Sequence, residues 1–248
     1  SAQVLPEIDA DVRLAPVPAW VKAQSYDAAA LTDTATGGPA YLLLSNQRRL
    51  DNKDEIYYSR QVKRLDDVES IEDAAQLSIS FDPSYERLEL HHIRVIRDGQ
   101  PQDRLVLSNF RMLHNESDAS RLIYNGLVSA SLILKDIRQG DIIDYAYSLH
   151  GKNPVFEGHI SDVVSLRWGV PIAHQYRSIN VPDDRLYQTR GYAGAPQPSL
   201  QRGEGRISYI WDEYDIARVE GQQNVPNWYT DFAYFELSDM PDWQTLGA

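Results

Sequence analysis

The segment from residue 85 to residue 107 constrains the fold of this chain more than any other. It reads YERLELHHIRVIRDGQPQDRLVL, and it contains two alternating apolar runs, at 88–90 and 93–95. Alternation with period two is typical of a β-strand with one buried face. Asp98 and Gly99 follow the second run, and this dipeptide favours the positive backbone angles of a tight hairpin turn. The segment therefore predicts a β-hairpin, which we expect at the centre of a sheet.

The alternation changes phase at His91 and His92. Because successive side chains of a strand point to opposite faces, only an extra residue can exchange the two faces. We therefore predict a β-bulge at this pair. A metal site here would require the bulge to turn both rings to one side. Hydrogen-bonded structural histidines are the favoured interpretation.

Composition excludes several classes of function. The 248 residues carry 36 acidic and 24 basic side chains, for a net charge of −12, which disfavours binding to phosphate backbones and anionic lipid. No cysteine is present, so disulfides and thiol nucleophiles are excluded. No apolar run approaches the roughly 20 residues of a membrane-spanning helix. We expect no nucleic-acid partner and no membrane insertion of this segment.

The remaining pattern predicts an all-β protein, a large antiparallel two-sheet β-sandwich with few short helices. We count about nine or ten strands and no βαβ rhythm, which favours antiparallel sheets packed face to face. Residues 1–39 are rich in proline and glycine and are expected to form an extended N-terminal arm. Residues 40–236 would form the β-sandwich domain. Residues 237–248 would be a linker or the start of the first helix of a following domain.

Several local features follow from turn chemistry. Gly140 is predicted to adopt a positive φ in a turn that joins a strand at 128–134 to a partner strand at 142–149. Ser70 is predicted to cap a short helix. The segment from Gly191 to Gly205 is rich in glycine and proline, which indicates a long surface loop.

The titratable residues do not form a recognisable catalytic set. The Gly-x-Ser-x-Gly motif of serine hydrolases is absent from the sequence. Asp141 ends the predicted turn, and Asp144 lies in the strand that follows it. Asp141 is expected to accept hydrogen bonds from backbone amides of the turn. We therefore predict no catalytic residues, no cofactor and no metal ion for this segment.

Aromatic residues are dense near the end of the chain. Three interpretations remain open: a sandwich core, a platform for stacking glycans, and an interface with a neighbouring domain. The residues that the interface interpretation selects are Trp228, Tyr229, Phe232, Tyr234 and Trp243.

Three segments together resemble a known family. They are FDPSYERLELHHIRVIRDGQ, IRQGDIIDYAYSLHGKNPVF and LSDMPDWQTLGA. They resemble the bacterial domain of unknown function that precedes a transglutaminase-like domain in exported proteins, and the resemblance covers residues 17–248. It implies a removed signal peptide, a periplasmic or secreted location, and a downstream papain-like domain with a Cys-His-Asp triad. Trp243 would lie where the first helix of that domain begins.

The resemblance predicts the function of this segment. We expect a non-catalytic accessory domain of an exported transglutaminase-like protein, which packs on the enzyme domain and helps to present a protein or peptide substrate. The alternative is a carbohydrate-binding or cell-envelope adhesion module, which a β-sandwich permits without implying.

Overall fold

Strands dominate the computed structural model of the chain, which describes residues 7–9, 11–32, 37–114, 126–156, 158–220 and 232–240. They make up 52% of the structure and helical turns 6%, so the all-β class predicted from the sequence is confirmed. The α-helix in these ranges has seven residues, and no helix there is long and apolar enough to span a membrane.

The described residues contain sixteen strands, one α-helix and two short 3-10 turns. The strands are β1 (Glu7–Asp9), β2 (Val12–Leu14), β3 (Ala40–Leu50), β4 (Glu55–Arg64), β5 (Gln76–Phe81), β6 (Arg87–Arg97), β7 (Gln100–Asp103), β8 (Arg111–His114), β9 (Val128–Ile133), β10 (Ile142–His150), β11 (Ser161–Ser165), β12 (Ile172–Pro182), β13 (Gln188–Tyr192), β14 (Ser199–Gly203), β15 (Arg206–Ile216) and β16 (Tyr234–Ser238). Helix α1 spans Glu69–Ala75, and the 3-10 turns span Leu107–Asn109 and Pro154–Phe156.

Ten strands form one large sheet in the order β1-β2-β6-β10-β4-β3-β12-β15-β14, with β7 also paired to β6. Two three-stranded antiparallel sheets accompany it, β5-β9-β8 and β11-β16-β13. The large sheet is mixed, because β2 pairs with β6 and β3 pairs with β12 in parallel. Parallel strands need a long crossover, and the chain between β3 and β12 provides it.

Both small sheets cover the same face of the large sheet, which we call the front face. The sheet β5-β9-β8 packs on β6 and β10, where Phe81, Leu88 and Ile143 are buried in one apolar cluster. The sheet β11-β16-β13 packs on β12 and β15, where Trp211 and Phe235 are buried in a second cluster. The sandwich therefore has two cores on one sheet face.

The predicted hairpin is present as β6 and β7. Asp98 and Gly99 have φ angles of 51° and 75°, as a tight turn requires. The predicted bulge is confirmed, since β10 pairs Ala146 with His92 but Tyr147 with Leu90 and leaves His91 as the extra residue. The predicted central position is wrong. Strand β6 is third in the order of the large sheet, between β2 and β10, whereas β4 and β3 occupy its middle.

Three other local predictions are corrected. Strands β9 and β10 are not partners: β9 pairs with β5 and β8, and β10 pairs with β4 and β6. The segment 191–205 is no irregular loop, because it contains the end of β13 and all of β14, which pairs with β15. Ser70 lies inside helix α1 and does not cap it; the N-cap is Val68, and Asp67 before it accepts the Ser70 amide at 2.7 Å.

The opposite face of the large sheet, the back face, is crossed by the chain before β3. Gln47 binds both backbone groups of Lys22, accepting from its nitrogen at 2.9 Å and donating to its oxygen at 2.8 Å. Arg60 donates to the Gln24 carbonyl at 2.8 Å, and Arg64 donates to the Ala30 carbonyl at 2.7 Å. These bonds hold the segment against β3 and β4.

Two glycines with positive φ provide a test of the turn geometry. Gly140 has φ +88° and open space around an added Cβ, so Gly140→Ala should destabilise the fold by about 1 kcal/mol or more. Gly151 has φ +143°, and an added Cβ would lie 1.7 Å from the backbone oxygen of Tyr85. Gly151→Ala should cost more than about 2 kcal/mol, because backbone must move. Denaturant unfolding of both variants measures the costs, and equal costs would contradict the close approach.

A buried ion pair on the back face predicts a pH dependence. Burial acts to raise the pKa of Asp144, but hydrogen bonds from His92 and Arg60 outweigh it and lower the pKa to about 2. A carboxylate with a lowered pKa contributes stability above its ordinary pKa of about 4, and this stability is lost as the pH falls towards 2. The destabilisation caused by Asp144→Asn should therefore shrink as the pH falls from about 4 to about 2.

Unfolding of wild type and Asp144→Asn across this range gives the difference directly. Asp98→Asn is the matched control, because Asp98 is an exposed turn residue with no ion pair among the residues described. Its removal should cost little at any pH. A cost of Asp144→Asn that stays constant down to pH 2 would contradict the ion-pair account.

Candidate interaction site

Strand β16 has two chemically different faces. Phe235 and Leu237 are 2% and 1% exposed and fill the second core. Tyr234 and Glu236 alternate with them and are partly exposed. Because the inner side chains already complete a core, the outer ones are available for contacts outside the domain.

Neighbouring strands extend the outer face of β16. The register places Tyr192 of β13 opposite Tyr234 and Arg190 opposite Glu236. The two tyrosine rings stack with centroids 4.5 Å apart and planes 9° apart. The Arg190 guanidinium lies 4.8 Å from the centroid of the Tyr192 ring. The Tyr192 hydroxyl donates to Glu236 at 2.9 Å, a hydrogen bond that raises the pKa of the tyrosine.

An apolar side chain borders this stack. Val163 of β11 pairs with Glu236 across the sheet and is 56% exposed. Phe232 precedes Tyr234 by two residues and is 36% exposed. We call the paired strand residues of this surface the aromatic face; it consists of Val163, Arg190, Tyr192, Tyr234 and Glu236.

Of the five interface residues predicted from the sequence, the structure describes Phe232 and Tyr234, and it places Tyr234 on this face. Trp228, Tyr229 and Trp243 lie outside the described residues. The core interpretation holds for some of the aromatic residues and not for others. Tyr209, Trp211 and Phe235 belong to the second core, whereas Tyr234, the neighbour of Phe235 in β16, does not. The alternation of side chains along β16 is the sequence feature that separates the two groups.

Sequence reasoning missed the partners that complete the face. Tyr192 and Arg190 lie in or beside the segment 191–205, for which the glycine and proline content predicts a loop and so hides the end of β13. Val163 belongs to a strand that was predicted, but nothing in its local pattern shows which sheet it joins.

A polar strip between the two cores was also missed. Arg48 of β3 donates to Asp162 of β11 at 2.7 Å, and the Arg177 guanidinium lies 5.0 Å from the Trp168 ring centroid. Burial raises the pKa of Asp162 and lowers the pKa of Arg177 to about 10. Asp162 Oδ2 and Arg177 Nε have no hydrogen-bond partner in the described chain. The strip adds a charged contact between the small sheet and the large one, beside the apolar contacts of the second core.

The histidine pair has structural partners. The bulge brings both rings within reach of β10, where His92 Nε2 lies 2.8 Å from Asp144 Oδ1 and His91 Nε2 lies 2.6 Å from Ser148 Oγ. The second contact has the geometry of a nucleophile and its base, but Ser148 is completely buried and no substrate can reach it. Within the described ranges, no group of three His, Asp or Glu side chains is arranged to hold a metal ion.

The carboxylates at the end of the Gly140 turn are also occupied. Asp141 accepts the Arg138 backbone amide at 2.8 Å, as expected, and both of its oxygens accept hydrogen bonds from Arg97. The aromatic face, by contrast, offers groups suited to binding a partner. Its ring faces can stack, and its guanidinium and carboxylate can make polar contacts.

A solved structure shares the fold. A candidate protease from Parabacteroides distasonis matches with a TM-score of 0.72 and 17% identity, over 84% of this chain and 41% of the other. This chain thus spans less than half of that protein. The M1 zinc metallopeptidase from Deinococcus radiodurans matches with a TM-score of 0.35 and 8% identity, over 80% and 42% of the two chains, which is too weak to bear on the fold.

No curated protein matches the chain by sequence. A family model does match, over residues 51–220, and it is described as DUF3857, a domain of unknown function with a solved structure. Since this match covers more than half of the 248 residues and includes β4 to β15, the chain belongs to the DUF3857 family.

Proposed function

We propose that this domain is a non-catalytic interaction module of a longer protein, and that its aromatic face packs on a transglutaminase-like domain of the same chain. The observation that carries the proposal is the Tyr192–Tyr234 stack, which lies on the outer side of a sheet whose inner side already fills a core. In this proposal the longer protein is exported, and the module helps to present a protein or peptide substrate to the enzymatic part.

The composition of the face suits an interface within a chain. Tyrosine and arginine are enriched where surfaces are desolvated on binding, and the most important contacts tend to be aromatic residues and arginine. The stacked rings are held by Arg190 and by the hydrogen bond to Glu236, so little side-chain entropy remains to be lost on docking. A contact of roughly 600 to 1,500 Å² is usual between domains of one chain.

The greater length of the Parabacteroides distasonis protein supports the proposal of a module within a larger protein. The shared fold covers 41% of the Parabacteroides distasonis chain, so more than half of that candidate protease lies outside it. An arrangement of the same kind in this protein would give the aromatic face a covalently attached partner.

The proposal predicts protection of the aromatic face in the longer protein. Hydrogen exchange of the amides at 190–192 and 234–236 should be slower in the full-length chain than in residues 1–248 alone. Tyr234→Ala should abolish most of this difference. In the isolated domain the same substitution should cost only about 1 kcal/mol, since it removes a cross-strand stack and no core residue.

Tyr214→Ala is the matched control. Tyr214 is 64% exposed and stacks on His174 with centroids 4.2 Å apart, but it lies on β15, away from the aromatic face. Its removal should leave the protection of the aromatic face unchanged. Equal exchange in the long and short chains, or collapse of the isolated domain on Tyr234→Ala, would refute the proposal.

A further inference from the structure

A groove of about 350 Å³ lies on the back face of the large sheet, far from the two small sheets. Its floor is formed by β3, β12, β15 and β14, and Trp20 and Lys22 line one side of it. The volume falls at the lower end of the range of small-molecule sites, which is roughly 300 to 1,000 Å³. We call it the back-face groove.

The floor is a polar row that crosses four strands. The register aligns Arg49 of β3 with Asn180 of β12, Asn180 with Ser208 of β15, and Ser208 with Gln201 of β14. All four side chains line the groove. Asn180 donates to Ser208 at 2.9 Å and accepts from Arg206, so the middle of the row is satisfied within the protein. Arg49 and Gln201 stand at its two ends and can contact a polar ligand.

The side wall is fixed in place. The two hydrogen bonds between Gln47 and the backbone of Lys22 attach the wall to the floor. The Lys22 ammonium lies 5.5 Å from the centroid of the Tyr176 ring. The groove is therefore formed in the absence of a ligand, and little reorganisation is needed for binding.

Two cations in the groove lack an anionic partner. Arg206, which also lines it, is fully engaged, with donations to Asp51 at 2.8 Å and to the Leu50 carbonyl at 2.9 Å. The Arg49 guanidinium and the Lys22 ammonium have neither a hydrogen bond nor an ion pair with any residue that the structure describes. No carboxylate in the described ranges forms an ion pair with either group, although Glu204 lines the same groove.

Neutral donors and acceptors accompany the cations. The Ser178 hydroxyl and the Gln201 amide line the groove and also lack hydrogen bonds within the described chain. The Glu204 carboxylate lies on the groove lining too and can accept from a hydroxyl group. The groove thus combines charge for an anion, hydroxyl and amide groups for hydrogen bonds, and the aromatic ring of Trp20.

We propose that the back-face groove binds an acidic sugar residue of a glycan. Arg49 and Lys22 bind its carboxylate, Ser178 and Gln201 bind its hydroxyl groups, and the Trp20 ring packs against its apolar C–H face. Charge-assisted hydrogen bonds to a carboxylate supply affinity, and the hydroxyl contacts supply selectivity for a saccharide over a simple carboxylate. This site is separate from the aromatic face and does not depend on the function proposed for it.

The test is binding of the domain to glycans that end in glucuronate, galacturonate, N-acetylneuraminate or N-acetylmuramate, each beside a neutral counterpart. At least one acidic glycan should bind more tightly than its neutral counterpart, and added salt should weaken that binding. Arg49→Gln and Lys22→Gln should each reduce the affinity for it about tenfold or more, as expected for loss of a charge-assisted hydrogen bond.

Arg202→Gln is the matched control. Arg202 follows Gln201 directly in β14, so its side chain points to the opposite face, and it is exposed. It should bind as the wild type does, and thermal unfolding should show that all variants are folded. The proposal is overturned if no acidic glycan exceeds its neutral counterpart, if Arg49→Gln binds like Arg202→Gln, or if a tri-glutamate peptide binds as tightly with the same dependence on Arg49.

Discussion

A large β-sheet has two faces, and the need to cover both of them determines the architecture of this domain. Period-two alternation gives β3, β4 and β12 one row of side chains for each face. The small sheets cover the two ends of the front face and leave the Arg48–Asp162 pair between the cores. The segment before β3 covers part of the back face through hydrogen bonds to Gln47, Arg60 and Arg64. The back-face groove lies where this covering leaves the large sheet open, and the aromatic face is the outer side of one of the covering sheets.

The sequence predicts local geometry well, because turns and bulges depend on neighbouring residues. The turn at Asp98 and Gly99, the bulge at His91 and the positive φ of Gly140 are all present in the structure. Strand pairing depends on distant residues and was predicted less well. Strands β9 and β10 are adjacent in the chain and alternate alike, but β9 joins a small sheet and β10 becomes an inner strand of the large one. No local signal distinguishes these outcomes.

The candidate sites show the same limit. Tyr234 could be selected from the density of aromatic residues near the end of the chain, but Arg190 and Tyr192 could not, since glycines and prolines beside them indicate a loop. The back-face groove is harder still to predict. Lys22, Arg49 and Gln201 come from three separate parts of the sequence, and each alone is an ordinary surface residue. Only the register of four strands and the path of the N-terminal segment place them around one cavity.

The parallel pairing of β3 with β12 has a consequence for the order in which the chain folds. Tyr41 pairs with Ile172, so the edge of β3 finds its partner only after more than two thirds of the 248 residues have been made. Contacts between residues so far apart in sequence close a long loop, which slows folding. Until β12 arrives, β3 and β4 present a long unpaired edge to solvent and to other nascent chains, which is a hazard for aggregation. Strand β12 is therefore the element that ends this exposure of β3, and β15 and β14 then extend the large sheet beyond it.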